Sequence, residues 1–485
     1  MVLLLIAIFL PFVAGVLLPL LRLKQRTAKL AFVSAVLVIE AALTIALACM
    51  DEVSATVLTI APELVVAFRT DGISRIFSLI ASLLWLPVGV FSFRYLTHEE
   101  AEDRFLAFYL MGLGSLLGMD YASNLVSMYC FYELVTLAGL PLVLHSRSKE
   151  SIHAALKYLF YSIAGAFMAL LGIFCIAQFT TMEFVPGGTL SGVELGDKEQ
   201  LVLALIFCAV IGFGAKAGMY PLHGWLPAAH PVAPGPASAV LSAVIAKAGV
   251  LGILRLIYFV VGPEMLRGTW VQTAWLVLGM ATVFMGSMMA WREKVFKRRL
   301  AYSTVSQISY VLCGLFLLTP AGVQGALLHT MFHAVAKTGL FLSAGAIIFY
   351  TGKTNVDDFK GIGRQLPKTI SAFTLVALSL VGIPPFAGFV SKWYLATASL
   401  DSGLPVISWL YPTILLVSAL LTAAYLLPVT IDGFFPGKDA ELPARIPEHR
   451  AVTVPLLALG VVSLVMGVGG GWLADVLSTI VAGLA

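Results

Sequence analysis

Apolar residues fill this chain in runs of about 20, the length that crosses a bilayer as a helix. Fourteen runs can be read, at 2–21, 30–50, 72–93, 105–119, 121–144, 154–178, 201–220, 237–260, 271–290, 300–318, 322–350, 370–399, 409–431 and 452–479. The run at 105–119 is the shortest, and Asp120 with its small neighbours separates it from the next. No polar stretch between them is long enough to form an aqueous domain. The fold class expected is therefore an all-α polytopic membrane protein with about 14 transmembrane helices. The first run has no basic segment before it and a basic loop after it, so it reads as a span and not as a cleaved leader.

Charge supports that count. Loops after odd-numbered runs hold Arg22, Lys24, Arg26, Lys29, Arg94, Arg104, Arg147, Lys149, Arg292, Lys294, Lys297, Arg298, Arg299, Lys353, Lys360, Arg364, Lys368, Lys438, Arg445 and Arg450. Loops after even-numbered runs, with their margins, hold only Arg69, Arg75, Lys198 and Arg267. By the positive-inside rule the odd loops are cytoplasmic and both termini face out, across the cell inner membrane. One miscounted helix would destroy this alternation.

The 485 residues are 60% hydrophobic and only 12% charged, with a mean hydropathy of +0.96. Charges inside the runs therefore stand out. Lys216, Lys247, Lys337 and Lys392 lie in four different runs and Glu133 in a fifth. An ammonium at bilayer depth costs about 2.5–3.5 kcal/mol even on lenient insertion scales. Several such charges on separate helices suggest a polar wire whose cargo is a proton or a small cation. The five cysteines have no paired spacing, which argues against a disulfide framework or zinc site.

Two runs look interrupted. In the seventh, Gly212, Gly214 and Gly218 precede Pro221, and Pro227, Pro231, Pro234 and Pro236 follow. In the twelfth, Gly382-Ile-Pro-Pro-Phe-Ala-Gly388 lies within the apolar stretch. Proline removes a backbone donor, and irregular backbone at membrane depth must be buried in protein or line a polar cavity. Breaks at corresponding positions of two repeats point to an ion path. The runs are five apart, an odd number, so two five-helix repeats would be inverted. Runs 4–8 and 9–13 are read as that pair, with broken helices 7 and 12. The chain then divides into N-terminal helices 1–3 (1–104), a first repeat (105–260), an inverted second repeat (271–431) and a C-terminal helix (452–485).

Glu133 and Lys216 are the natural charge partners. At about 4–6 Å and an effective dielectric near 20 they would attract by roughly 3–4 kcal/mol. Lys247 sits among small residues with no acid near it in sequence, where a desolvated lysine can load and unload a proton. His329, His333 and Lys337 recur every four residues, on one helix face, and imidazoles suit a proton relay. A bis-histidine haem fits poorly, because two histidines four apart on one helix point the same way. His223 and His230 in the proline-rich break either line an entrance or satisfy freed backbone groups. Glu40 is read as a peripheral contact to another subunit. Asp71, Lys297 and Arg298 are read as membrane-edge anchors. No nucleotide-binding loop, dinucleotide fingerprint, iron–sulfur cysteine cluster or serine-nucleophile motif is present. No cofactor and no metal are expected in this chain, and no nucleic-acid partner. Energy for uphill transport must come from another subunit or another ion gradient.

The stretch from Lys216 to Ser242, KAGMYPLHGWLPAAHPVAPGPASAVLS, with Lys247 and Arg255 beyond it, closely resembles a family signature. It belongs to the antiporter-like subunits of respiratory complex I, Mrp-type cation/proton antiporters and membrane-bound hydrogenases. Lys297–Gln307 (KRRLAYSTVSQ), His329 through Lys337 and Gly382–Lys392 (GIPPFAGFVSK) extend the resemblance over nearly the whole chain. The resemblance implies fourteen helices with inverted repeats. It implies that Glu133 and Lys216 are a coupling pair, Lys247 a central carrier, His329 and His333 a connecting relay, and Lys392 a terminal carrier. One complex I paralogue typically has glutamate at the position of Lys392, and no long lateral helix follows the last span. The type resembled is thus the D component of Mrp antiporters or its hydrogenase-complex counterpart, with a complex I pumping subunit as the alternative. The implied function is a proton-translocating subunit of a multi-subunit ion-pumping complex. Homologous antiporter-like subunits, small membrane subunits, a peripheral redox arm and membrane lipid are its candidate partners. Protons are the favoured cargo and Na⁺ the second. No redox site is seen, so any enzymatic role is that of a translocase subunit in an oxidoreductase complex. A stand-alone solute transporter is the competing class, but the intramembrane polar groups are titratable and spread over five helices, unlike a binding pocket. An inert membrane anchor would have little use for such charges.

Overall fold

The structure is a computed structural model describing residues 1–61, 64–437 and 443–484; Lys438 of the basic loops lies outside the described residues. Its helices are α1 Val2–Leu20, α2 Arg26–Cys49, α3 Gly72–Tyr95, α4 Glu102–Asp120, α5 Leu125–Val143, α6 Lys149–Ile176, α7 Glu199–Ala217, α8 Leu226–Val232, α9 Gly235–Val240, α10 Lys247–Arg255, α11 Pro263–Leu266, α12 Trp270–Arg292, α13 Phe296–Phe316, α14 Pro320–Thr351, α15 Ile362–Gln365, α16 Pro367–Val381, α17 Ala387–Leu400, α18 Ile407–Phe434, α19 Arg450–Val468 and α20 Gly470–Val481. Among the described residues, eleven helices are long and apolar enough to cross a membrane. Two more of similar length, α4 and α13, carry more charged or polar residues.

Helix ends follow local chemistry. Asp71 and Ser74 form a reciprocal capping box at the start of α3, and Asn124, Ser148 and Thr319 cap α5, α6 and α14. Each such side chain satisfies a backbone donor that the first turn leaves free. Both expected interruptions occur, with one refinement. α7 continues through Gly212 and Gly214 and stops at Gly218, whose φ of 81° is left-handed. α16 stops at Gly382 with φ 92°. In each case a proline follows three residues later, so the helix cannot resume at once.

The expectation of an all-α chain needs one correction. Between α2 and α3 an antiparallel hairpin forms, β1 Ser54–Ala61 and β2 Leu64–Arg69. Threonines and valines there favour a pleated strand. Backbone bonds from Arg69 to Tyr121 and from Ser123 to Ala67 tie the hairpin to the α4–α5 turn.

α14 is the axis of the molecule. It is the longest helix among the described residues, at 32 residues, and packs against α3, α9, α13, α16, α17, α19 and α20. The segment Gly235–Val261 beside it is wholly enclosed. The most buried helices thus carry the polar residues, while the peripheral helices present apolar faces.

Candidate functional site

Lys216 occupies the last turn of α7 and is fully buried. Its ammonium donates to the Tyr132 carbonyl at 2.8 Å and to Thr136 Oγ1 at 2.7 Å, and lies 3.8 Å from the centre of the Tyr132 ring. Both partners are on α5, flanking Glu133. The close Glu133–Lys216 ion pair expected from sequence does not form among the described residues. The reason is helical phase: Tyr132 and Thr136, four apart, face α7, and Glu133 is turned about 100° from Tyr132. Glu133 is half-buried, beside exposed Cys130 and Leu134, and accepts the Tyr129 hydroxyl at 3.2 Å.

Lys247 follows a π-helical turn, Leu241–Ile245, a local unwinding common at functional sites. Its ammonium folds back onto the Ser242 carbonyl at 2.9 Å. No carboxylate contacts it among the described residues.

His329, His333 and Lys337 share one face of α14, as their spacing predicts. The two imidazoles are 6.0 Å apart, centre to centre. His329 Nδ1 shares a hydrogen bond with Ser391 Oγ at 2.9 Å. His329 Nε2 and both nitrogens of His333 have no partner among the described residues. Lys337 donates to the Leu300 carbonyl at 2.9 Å and to Ser303 Oγ at 2.8 Å. Tyr310 bridges the groups: its ring lies 5.3 Å from that of His329 and 5.7 Å from the Lys392 ammonium.

Lys392, on α17, donates to the carbonyls of Leu380 and Val381, each at 2.7 Å. In a continuous helix these carbonyls would take the N–H groups of residues 384 and 385. Both are prolines and have none. The lysine therefore supplies the missing donors, and its charge rests against the negative end of the α16 dipole. This compensation replaces the acid that sequence alone could not find.

The remaining polar residues divide. Asp71 is more than an edge anchor: Arg255 donates to both its oxygens, at 2.7 and 2.8 Å. This is a fixed bidentate pair. Lys297 is buried and donates to the Ala233 carbonyl at 2.6 Å, in the proline-rich break, so it too is not a surface anchor. Arg298 is partly exposed and sits 3.5 Å from Glu293. His230 is buried and stacked on Phe341; His223 is half-buried and stacks on Tyr220. Glu40 is wholly buried, with neither oxygen bonded among the described residues, which contradicts its reading as a peripheral contact. Sequence reasoning missed Thr136, Ser303, Tyr310, Ser391 and Tyr425. The proline-driven orphan carbonyls at 380 and 381 were a readable signal for Lys392's role. Isolated hydroxyls on apolar helices gave none.

Comparison with known proteins places the chain in a family. Residues 122–430 match the family described as "NADH:quinone oxidoreductase/Mrp antiporter, TM". The chain is 36% identical over 381 residues to NADH-quinone oxidoreductase subunit N of Desulforudis audaxviator, covering 76% of this chain and 74% of that one. It is 27% identical over 422 residues to the D component of the Na⁺/H⁺ antiporter of Bacillus subtilis, covering 84% and 81%. Its fold superposes on a chain of the Mrp complex from Dietzia sp. DQ12-45-1b with a TM-score of 0.86 at 24% identity, covering 99% and 97%. With its broken helices and buried lysines in place, the chain belongs to the NADH:quinone oxidoreductase/Mrp antiporter transmembrane family.

Proposed function

We propose that this chain is a proton-translocating, antiporter-like subunit of a multi-subunit ion-pumping complex. One observation carries the reading. Lys216, Lys247, Lys337 and Lys392 are buried on four different helices, and each ammonium is held by neutral oxygens and by no carboxylate among the described residues. A lysine locked to a carboxylate keeps its proton, as a structural pair does; a lysine on neutral acceptors can release it at modest cost. The Asp71–Arg255 pair shows what a fixed charge looks like in the same molecule.

In this reading Glu133 senses or sets the charge of Lys216. Lys247 is the central carrier, His329, His333 and Lys337 connect it onward, and Lys392 is the terminal carrier. The eleven spans, with α4, α13 and the α16–α17 pair, add up to fourteen membrane crossings. The glycine stops at Gly218 and Gly382, each three residues before a proline, support an inverted pair of repeats built on α7 and α16–α17. Basic-loop asymmetry supports an inner-membrane location with both termini outside. Protons are the cargo of the lysine path, and Na⁺, which needs oxygen ligands, crosses elsewhere. The partners are homologous antiporter-like subunits and small membrane subunits. Higher identity to a quinone oxidoreductase component than to an antiporter component favours a redox-driven complex with a peripheral arm.

Purification in mild detergent tests the assignment. Homologous large membrane subunits should co-isolate with this chain. A lone chain that is active in liposomes would overturn the assignment and favour a stand-alone transporter.

A further inference from the structure

We infer that Lys337 has its own proton-uptake route from the basic-loop face, running from a polar cavity at Arg299, Asp357, Lys360 and Asp432 through the hydroxyls of Tyr425 and Ser303. This deepens the proposed function and rests on Lys337 belonging to the relay.

The cavity has a volume of about 400 Å³ and opens among the α12–α13, α14–α15 and α18 loop ends. Four of its lining residues are charged. Its inner wall is α18, where Ala424 and Pro428 are both exposed to it. Pro428 has no N–H, so the carbonyl of Ala424, four residues earlier, lacks its helical partner. That carbonyl sits where water from the cavity can satisfy it. Arg299 reaches inward from the cavity and donates to the Tyr425 carbonyl at 3.0 Å.

One turn deeper than this contact lies a hydrogen-bonded run of hydroxyls. Ser303 follows Arg299 by four residues on α13, about 6 Å along the axis. The Tyr425 hydroxyl bonds Ser303 Oγ at 2.7 Å and Thr422 Oγ1 at 3.2 Å. Ser303 Oγ also accepts the Lys337 ammonium at 2.8 Å. All four side chains are buried. A hydroxyl both donates and accepts, so it can pass a proton on while receiving another. In the arrangement seen, Ser303 accepts from both neighbours. Uptake by a neutral Lys337 needs one reorientation: Ser303 gives its proton to the amine as Tyr425 gives its own to Ser303. Tyr425 is then refilled by a hydronium that enters from the cavity past Arg299 and the open Ala424 carbonyl and leaves as water.

The competing explanation is that these hydroxyls only join helices, a common role for serine and threonine in membranes. Four variants of the intact complex in proteoliposomes separate the two, with proton movement followed in H2O and D2O. Tyr425→Phe keeps the ring and removes the bridge. Ala424→Leu fills the cavity's inner wall and touches no hydroxyl. Tyr411→Phe removes another buried α18 phenol, bonded among the described residues only to the Tyr310 carbonyl at 2.9 Å. Lys337→Ala tests the relay itself. Tyr425→Phe and Ala424→Leu should each slow transport by about a hundred-fold, the lower end of what a positioned proton-transfer group contributes. Both should raise the H2O/D2O rate ratio, because uptake becomes limiting, and Tyr411→Phe should change neither. A lower rate with an unchanged isotope ratio would mark Tyr425 as structural and overturn the route. So would wild-type rates in both Tyr425→Phe and Ala424→Leu beside an inactive Lys337→Ala, which would leave the relay standing. Wild-type transport by Lys337→Ala would instead remove the relay reading on which the route rests. Should Tyr425→Phe fail to assemble, Ala424→Leu decides.

Discussion

Replacing Lys392 by Met and by Arg separates its cap of a broken helix from its proposed role as the last carrier. Met reproduces its unbranched stem but has no donor. The carbonyls of Leu380 and Val381 would then be buried with no partner, because residues 384 and 385 are prolines. Each unsatisfied buried group costs about 1–3 kcal/mol, so the end of α16 should lose about 2–6 kcal/mol. The amides of Gly382 and Ile383, bonded to Leu378 and Ser379, report that end directly. Their hydrogen exchange in detergent should quicken by about 30-fold at the low end and about 10⁴-fold at the high end, since each 1.4 kcal/mol is tenfold. Arg keeps donors and a permanent charge, so exchange in Lys392→Arg should stay near wild type. Transport should fail in both variants, because neither side chain can cycle a proton. Protected amides in the Met variant would refute the capping geometry. Full transport by the Arg variant would show that positive charge alone suffices and would end the carrier role.

Three other perturbations test separate parts. Glu133→Gln and Lys216→Ala should each impair transport, and their double mutant should lose less than the sum, by about 0.5–3 kcal/mol in a double-mutant cycle; strict additivity would mean that the charges act independently. Asp71→Asn should lower the detergent unfolding midpoint, since breaking a buried pair costs about 3–5 kcal/mol, and adding Arg255→Met should recover part of it; no recovery would mean Asp71 matters only as the α3 cap. Burial in the α5–α6 loop, with the Arg104 guanidinium nearby, holds the His145 imidazole down to about 4 from its ordinary 6.5. The unfolded chain therefore binds more protons between those values. Stability should be full above pH 6.5 and fall as pH drops towards 4, and His145→Gln should flatten that slope in thermal melts; an unchanged slope would assign it to other groups.

Much of the fold could be read from hydropathy and punctuation. Apolar runs of spanning length located the helices, because burial in lipid leaves no other way to satisfy the backbone. Glycine and proline located both breaks, though α7 ran on to Gly218 because Gly212 sits where α6 packs tightly against it, and packing outweighed propensity. The hairpin at 54–69 was overlooked although its threonines and valines carried a strand signal. At the site, the four lysines and the histidine stripe were legible because charge in an apolar run is costly. Their partners were not. Helical phase put Tyr132 and Thr136, and not Glu133, on Lys216. The bonds of Lys337 to Ser303 and of His329 to Ser391 join residues far apart in sequence, and only tertiary packing sets them. Glu40 was misplaced because a lone acid in a helix does not reveal which face is buried.

Lys247 tests the relay most directly, because it is the lysine with no acid near it and no second helix holding its ammonium among the described residues. The measurement is pH-gradient formation in vesicles carrying the complex with Lys247→Ala, with co-purification of partner subunits as the check on assembly. The relay requires an assembled complex that builds no gradient. An assembled complex that builds a wild-type gradient would contradict it.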